Sequence, residues 1–420
     1  MLLGGTLALS ACAGQVPLGL GGGQPQQLAP SAPGVPSAAP EATGKTSGNV
    51  LLLVPLTGNL APYGQVLENA AKLAFPEGSS PSLDIRDTAG TAAGAAAAAQ
   101  AGLSAGDGII IGPLTAAETQ AVAPIAKGAG VNVLAFTNDS TVAAPGVWTL
   151  GITPRQQVKN VMQAAANAGR TQLAALLPDT DFGRHLADAI NAEAAALGEP
   201  AAQITYYQPG FSSVNSAVEQ ISDFAARGQG IQDQIKQAKA LGTAAGRAQA
   251  NELRHQPVPP PSFNALFIGA TDSTTLAEMA NFLPYYDVNP PQVQFLGPAL
   301  WSTLATAMAH QSVLLGAMYA APDPAASAAF DAKYQASYGA APPAIADVAF
   351  DAAAIAKLAA SSGGYTSNVL TAPGGFTGTD GVLVLNPDGT VRRGLAVFKV
   401  APGAPTIVSP APSSLTAQNN

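Results

Sequence analysis

Apolar residues along this chain fall in short unbroken runs that alternate with stretches of helical period. The run "NVLLLVP" (49–55) leads into "QVLENAAKLAF" (65–75), and "SLDIRD" (82–87) leads into an alanine-rich helical stretch over 91–104. "GIIIGP" (108–113) is followed by a helical pattern over 116–128 and then "VNVLAF" (131–136). Short apolar strands separated by amphipathic helices predict an α/β protein whose parallel sheet is buried on both faces. The pattern then restarts. A helix over 155–169 precedes "TQLAALLPD" (171–179), and a helix through "DFGRHLADAI" (181–190) precedes "AQITYYQ" (202–208). After a long helical stretch come "FNALFIGA" (263–270), a helix over 274–283 and "VQFLGP" (293–298). Two units of one architecture predict two lobes with a cleft between them. Near the end, "GVLVLNPDGTVRRGLAVFKV" (381–400) alternates around Asn386-Pro387-Asp388-Gly389. That is a hairpin signal, and it predicts an antiparallel edge added to a sheet formed earlier.

Composition changes the picture mainly at the N-terminus. Residues 13–47 are Gly, Pro, Gln, Ala and Ser with few bulky side chains, a segment unable to bury enough apolar surface to offset its ordering entropy. Fully extended, it spans about 100 Å. "GLGGG" (19–23) lacks the preceding strand that a phosphate loop requires. The only cysteine, Cys12, closes "LALSAC", which is similar to a bacterial lipobox, Leu9 to Cys12, whose thiol is acylated and becomes the new N-terminus. An unpartnered cysteine ahead of a flexible tether favours that reading over a chance cysteine in a leader. No Lys or Arg precedes the apolar run, so the natural start is expected upstream of Met1.

The chain has 420 residues, 10% of them charged, and a formal net charge of −8, which argues against nucleic acid as a partner. No apolar run reaches the roughly 18 residues of a membrane-spanning helix. The glycine- and proline-bearing loop "VPLTGNLAPYGQ" (54–65), between a strand and a helix, is a natural place for a ligand. His185, His255 and His310 are scattered without zinc spacing, and no HExxH, GxSxG or P-loop pattern occurs, so no enzyme, metal or cofactor is called for. Asp179 and Asp181, like Asp84 and Asp87, read most simply as helix caps. The insert from 227 to 256 holds Arg227, Lys236, Lys239, Arg247 and Arg254 against Asp233 and Glu252, a net of +3 that leaves −11 for the rest. It reads as exposed helix ended by "PVPPP", either solvated or a docking surface. "LPYYDV" (283–288) offers Tyr285 and Tyr286 as anchors, with core packing as the alternative.

In this order the segments resemble the type I periplasmic binding protein fold, specifically the leucine/isoleucine/valine-binding family, over residues 49–401. The resemblance is carried by "VPLTGNLAPYGQVLENAAKLA", "IIIGPLTAAETQAVAPIAKGAGVNVLAF", "PDTDFGRHLADAI" and "AAFDAKYQASYGAAPPAIADVAFDAAAIAKLA". It implies two lobes, each a mostly parallel sheet flanked by helices, joined by crossovers near Gly151, Pro322 and Phe376. The corresponding organisation is a signal peptide over 1–12, a linker over 13–48, lobe 1 over 49–150 and 322–376, lobe 2 over 151–321 and 377–405 with its insert at about 227–262, and a tail over 406–420. Within the family, "NDSTVAAPGVWTLGITPRQQV" and "LPYYDVNPPQVQFLGPALW" look like the penicillin-binding protein activators, outer-membrane lipoproteins that touch a peptidoglycan synthase.

Amino-acid-binding members hold the ligand carboxylate with small hydroxyl residues and backbone N–H groups, and the ammonium with an acidic residue. A buried zwitterion needs both charges met. By resemblance one hydroxyl position falls at Ala116, after Thr115, and the other at Asp139, where a carboxylate repels a carboxylate; a slip of one or two residues would bring in Thr137 or Ser140, and Asn138 is a further cleft candidate. The acidic position of the second lobe is Ala299, and the aromatic frame is Tyr63 and Phe182. The resemblance therefore implies a non-catalytic envelope lipoprotein that regulates a peptidoglycan synthase. The alternative is an ABC-transporter receptor for branched-chain amino acids or a related small molecule, with a permease as partner.

Overall fold

The computed structural model describes residues 44–415, so Cys12 and residues 1–43 lie outside the described residues. The first lobe is built on a five-stranded parallel sheet in the order β2-β1-β3-β4-β5. Its strands are β1 (Val50–Val54), β2 (Leu83–Asp87), β3 (Ile109–Ile111), β4 (Asn132–Ala135) and β5 (Val147–Thr149). Helices α1 (Ala61–Ala74), α2 (Ala92–Ala105) and α3 (Ala116–Gly128) connect them. All five residues of β1 are buried because both faces are covered: Val50, Leu52 and Val54 join the core under α1, while Leu51 and Leu53 join the core under α2 and α3. Each such side chain contributes about 1.5–3 kcal/mol when fully buried. α3 begins at a reciprocal cap, with Thr115 accepting from the Glu118 N–H and Glu118 accepting from the Thr115 N–H.

The second lobe continues with α4 (Pro154–Asn167), β6 (Leu173–Pro178), α5 (Asp181–Leu197), β7 (Gln203–Tyr207), α6 (Phe211–Ser222), α7 (Phe224–Ala240) and α8 (Ala244–Leu253). Then come β8 (Ala265–Ile268), α9 (Ser273–Tyr285), β9 (Gln294–Gly297), α10 (Trp301–Met308) and β10 (Met318–Ala321). The chain returns to the first core with α11 (Pro324–Tyr338), α12 (Ala346–Ser361), α13 (Ser367–Leu370), β11 (Phe376–Gly378), β12 (Gly381–Leu385) and β13 (Val391–Arg393). It ends in the second sheet with β14 (Ala396–Lys399) and β15 (Thr406–Ser409), giving the order β15-β14-β10-β9-β8-β6-β7.

The hairpin at Asn386-Pro387-Asp388-Gly389 forms as expected between β12 and β13, but its surroundings differ from expectation. It makes a separate antiparallel sheet with β11, and Phe376, Leu383, Leu385 and Val391 pack in the first core. The second sheet receives only β14 and β15, antiparallel, so the third passage between lobes falls at Gly394–Leu395 rather than near Phe376. The first passage runs through Leu150–Ile152 and the second through Pro322–Asp323. Across the passages, the Gln156 side-chain amide donates to the Val391 carbonyl (2.6 Å) and that of Asn160 to the Leu395 carbonyl (2.9 Å). The end of the expected linker also packs: the Tyr365 hydroxyl donates to the Gly48 carbonyl and its N–H to the Lys45 carbonyl. No helix among the described residues is long and apolar enough to cross a membrane.

Candidate functional site: the cleft loops and the helical insert

The loop after β1 is held from below by one carboxylate. Parallel pairing puts Val54 beside Asp87, so Asp87 emerges at the end of β2 directly under residues 55–57. Its Oδ1 accepts the N–H groups of Leu56 (2.8 Å), Thr57 (3.2 Å) and Ala89 (2.7 Å), and its Oδ2 accepts the Thr57 hydroxyl (2.6 Å). Burial, the largest single influence, raises the Asp87 pKa. The bonds from the Thr57 hydroxyl and the Ala89, Leu56 and Thr57 amides outweigh it together and leave the pKa below the ordinary carboxylate value. Gly58 takes a left-handed conformation (φ 81°), and a Cβ on Gly64 would lie 1.9 Å from the Pro55 carbonyl oxygen. These glycines let the loop fold back against α1. Asp87 is thus a loop clamp and not the helix cap expected; Thr91 caps α2, and Asp84 pairs with Arg86 (2.7 Å) on the same strand.

The other expected ligand positions are already engaged with near neighbours. The Thr115 hydroxyl is shared with Glu118, whose buried carboxylate also receives the Thr88 hydroxyl. Thr137 is buried; its hydroxyl accepts from the Asp139 N–H (3.1 Å) and its carbonyl from the Gly151 N–H (3.1 Å). A side chain at Gly151 would meet the backbone of Thr137 and Asn138 at 2.8 Å, so this loop rests on the first passage. Asp139 caps a 3₁₀ turn by accepting both the N–H (2.9 Å) and the hydroxyl (2.7 Å) of Thr141. Asn138 is exposed.

Opposite, the N–H of Ala299 donates to Gln157 Oε1 (3.0 Å), and Gln157 in turn donates to the Ile152 carbonyl (3.0 Å). Trp301 fixes this turn, with its ring over Gly297 and its indole N–H on the Ala270 carbonyl (3.0 Å). Asp179 and Asp181 share Arg184 (2.8 and 3.0 Å), and Thr180 rather than either aspartate caps α5. Tyr63 is 51% exposed on α1, whereas Phe182 leans into the second core, and no ring contact joins them among the described residues. A concavity of about 570 Å³ lies at the opposite ends of the first lobe's strands, by Thr46, Ser80, Lys357 and Tyr365.

The insert is a helical hairpin, α7 and α8, with a small core of its own made by Ile235, Ala238, Ala250 and Leu253. The single helix expected breaks at Leu241-Gly242-Thr243, where Gly242 has φ 64° and Thr243 caps α8. Arg227 is no docking cation. It holds the hairpin's base by donating to the Pro259 (2.8 Å) and Tyr286 (2.6 Å) carbonyls, over the Phe224 ring.

At about 100° per residue, Lys236 and Lys239 lie roughly 75–135° to one side of the buried seam of α7, and Arg247 and Arg254 about 75–95° to one side of the seam of α8. Because the second helix runs back against the first, the two sides coincide and the four cations share one face of the hairpin. Asp233 and Glu252 fall away from it, although Lys236 reaches Asp233 (3.2 Å). Of the paired tyrosines, Tyr285 is 72% exposed. Tyr286 is core, with its hydroxyl on Asn215 (3.1 Å), because it turns under α6 while Tyr285 turns out. Sequence reasoning missed Phe211, 64% exposed and edge-on at 4.7 Å to Phe282, which lies three residues before Tyr285 on α9.

The family model described as "Periplasmic binding protein" matches residues 49–401. No curated protein matches the chain by sequence. Among solved structures, a protein described as a branched-chain amino acid ABC transporter from Rhodospirillum rubrum has a TM-score of 0.64 at 17% identity, over 86% of this chain and 100% of that one. The C-domain of LpoA (YraM) from Haemophilus influenzae, a regulator of PBP1A, gives 0.59 at 18% identity, over 86% of this chain and 99% of that one. Full-length LpoA gives 0.61 at 18% identity over 88% of this chain, which spans 60% of that longer protein. At such identities the likeness is one of fold, and it carries both to receptors and to a regulator. The chain belongs to the type I periplasmic binding proteins, a family of periplasmic, envelope-associated binding proteins.

Proposed function

We propose that this chain is a non-catalytic lipoprotein, anchored through Cys12 to the periplasmic side of the envelope at the outer membrane, whose two-lobed body activates a peptidoglycan synthase. One observation carries the reading: groups at or beside the positions where relatives would clamp a zwitterion are engaged with their own neighbours. Thr115 is paired with Glu118, Asp139 with Thr141, and the Ala299 N–H with Gln157. An amino-acid carboxylate would have to displace internal bonds at one pole and would meet an alanine at the other. The docking surface belongs instead to the second lobe, with Lys236, Lys239 and Arg247 on the hairpin and Tyr285 with Phe211 on the body. The second reading, a receptor delivering a small molecule to an ABC permease, draws support from the exposed Tyr63 at the cleft and from the fold of the Rhodospirillum protein.

The test pairs two measurements on the purified chain. Stimulation of glycan polymerisation or peptide cross-linking by an envelope synthase is expected. A panel of leucine, isoleucine and valine is expected to leave the melting temperature unchanged. A receptor with ligand at 100 times its dissociation constant would gain about 2.7 kcal/mol. A ligand-specific shift without synthase stimulation overturns the proposal and selects the receptor. In cells, Cys12→Ser is expected to release the protein from the membrane or leave an uncleaved precursor; unchanged acylation in that variant removes the anchor.

A further inference from the structure

The first and third passages between the lobes are tied to each other and to α4. Arg393, its side chain fully buried at the end of β13, donates from Nη2 to the Leu150 carbonyl of the first passage at 2.7 Å. Gln156 and Asn160 of α4 hold the carbonyls of Val391 and Leu395, before and within the third. Residues 402–415 lie beyond the stretch matched by the family, 49–401, and residues 406–415 of the expected tail are built into the body. β15 runs antiparallel to β14, with Thr406 beside Lys399, Ile407 beside Phe398 and Ser409 beside Val397, so it returns toward the third passage. A bulge between Val397 and Phe398 bends the edge there. Pro410 and Pro412 stiffen the residues that follow, and Ala411 packs on the second core. Pro412 then lies over Gly394, where a Cβ would stand 3.0–3.2 Å from its ring carbons and carbonyl oxygen. Last, Arg392 of β13 donates from Nη1 to the Leu415 carbonyl at 2.8 Å and from Nε to Asn386 Oδ1 at 3.4 Å.

We propose that residues 402–415 are a strap across the hinge that fixes the angle between the lobes. The segment leaves the edge of the second sheet, crosses the third passage and ends on Arg392, whose strand belongs to the sheet packed on the first core. It is therefore a fourth crossing from one lobe to the other. The passage beneath it turns at Gly394, and glycine has the greatest backbone freedom of any residue. A hinge works by letting a few such residues absorb the change in φ and ψ. Rotation at Gly394 carries β13 away from β14. Because Leu415 is joined to β14 through β15, the same rotation pulls its carbonyl off Arg392 and drives the Gly394 backbone against Pro412. The bond to Leu415 is charge-assisted, so the strap resists that motion.

The strap is held differently from the other ties. Arg393 is buried with Asp380 at 3.2 Å and Asp351 at 3.7 Å, so its bond to Leu150 belongs to the packed interior. All four side chains of β15 are exposed, and its hold on the sheet is the backbone ladder to β14 with the partial burial of Ala411. Segments with few buried contacts open at low cost, ahead of the cores they lie on. The strap is thus the one tie that comes off without unfolding either lobe. With it in place the body presents a fixed surface; with it released the lobes turn about the three passages.

The test places spin labels on exposed positions of α3 and α5, as Gln120→Cys and Asp188→Cys with Cys12→Ser, and reads the interlobe distance distribution by pulsed electron resonance. The parent is expected to give a single narrow distribution. A chain ended at Pro402 should lose that narrow component while circular dichroism stays that of the folded body. In the intact chain Arg392→Ala should broaden the distribution as well, whereas Arg392→Lys, which keeps a charged donor, should stay close to the parent. Gly394→Ala, which sets a methyl group under Pro412, should also broaden it. A folded chain ended at Pro402 that keeps the parent distribution overturns the proposal. Should that chain fail to fold, Arg392→Ala decides, and a parent-like distribution in it overturns the proposal equally. Neither a synthase nor a ligand enters the readout, so the outcome stands apart from the proposed function.

Discussion

Replacing Asp87 by alanine tests whether the opening loop is held by the protein itself. The substitution removes four hydrogen bonds at once, three from backbone N–H groups and one from the Thr57 hydroxyl. Bonds to a charged group contribute about 1.5–3 kcal/mol each when buried. Asp87 is exposed, however, and its partners regain water, so the sum is discounted to about 2 kcal/mol. In a chain of this size that is a fall of about 2–3 °C in melting temperature. Asp87→Asn, which keeps an acceptor without the charge, should cost about half as much. The pH dependence has a definite sign. The folded pKa is depressed below 3.8, so the contribution is fully present above the unfolded value and is lost as pH falls through the lowered one. Thermal unfolding of the parent and Asp87→Ala, compared from pH 8 downward, should give a constant gap to about pH 5 that closes in strong acid. A gap below roughly 0.5 kcal/mol at pH 7, within the range of ordinary surface substitutions, or one that widens on acidification, would refute the clamp.

Two further outcomes follow from the second lobe. Reversing Lys236, Lys239 and Arg247 to glutamate should leave circular dichroism unchanged, since all three are exposed, and should lower synthase stimulation most at low salt, where attraction mainly accelerates association. Undiminished stimulation would make the hairpin a solvated appendage. Tyr286→Ala should destabilise the body by about 3–5 kcal/mol as a buried aromatic, while Tyr285→Ala should leave the melting temperature nearly unchanged; equal effects on stability would contradict their opposite burial.

Much of the fold was legible because its strands are buried on both faces and so read as unbroken apolar runs. α3 was found at its true limits because a proline precedes it and Thr115 with Glu118 marks its start. The insert's break carried a readable signal too, Gly242 followed by the cap Thr243, but polar helices on both sides hid it. β5, only three residues long, gave no pattern to count. The hairpin was visible in its turn, yet the choice between the second sheet's edge and the first core depends on contacts far along the chain. Local chemistry cannot supply those.

The same separation explains the candidate site. Sequence reading located Asp139 and Ala299 through resemblance and judged them by what a ligand would need. The structure judges them by what they already hold. Asp139 satisfies Thr141 two residues away, so its carboxylate has a structural use whether or not a ligand comes. Asp87 lay in a run that suggested a cap, because three of its four bonds come from Leu56 and Thr57, about thirty residues earlier, which meet it through the parallel pairing of β1 with β2. Arg393 reaches Leu150 across 243 residues and had no local signal at all. The residues of most consequence are therefore those whose partners are distant in sequence. In this chain they gather at the loop clamp and at the interlobe passages, where Gln156, Asn160 and Arg393 bond to backbone carbonyls far along the chain.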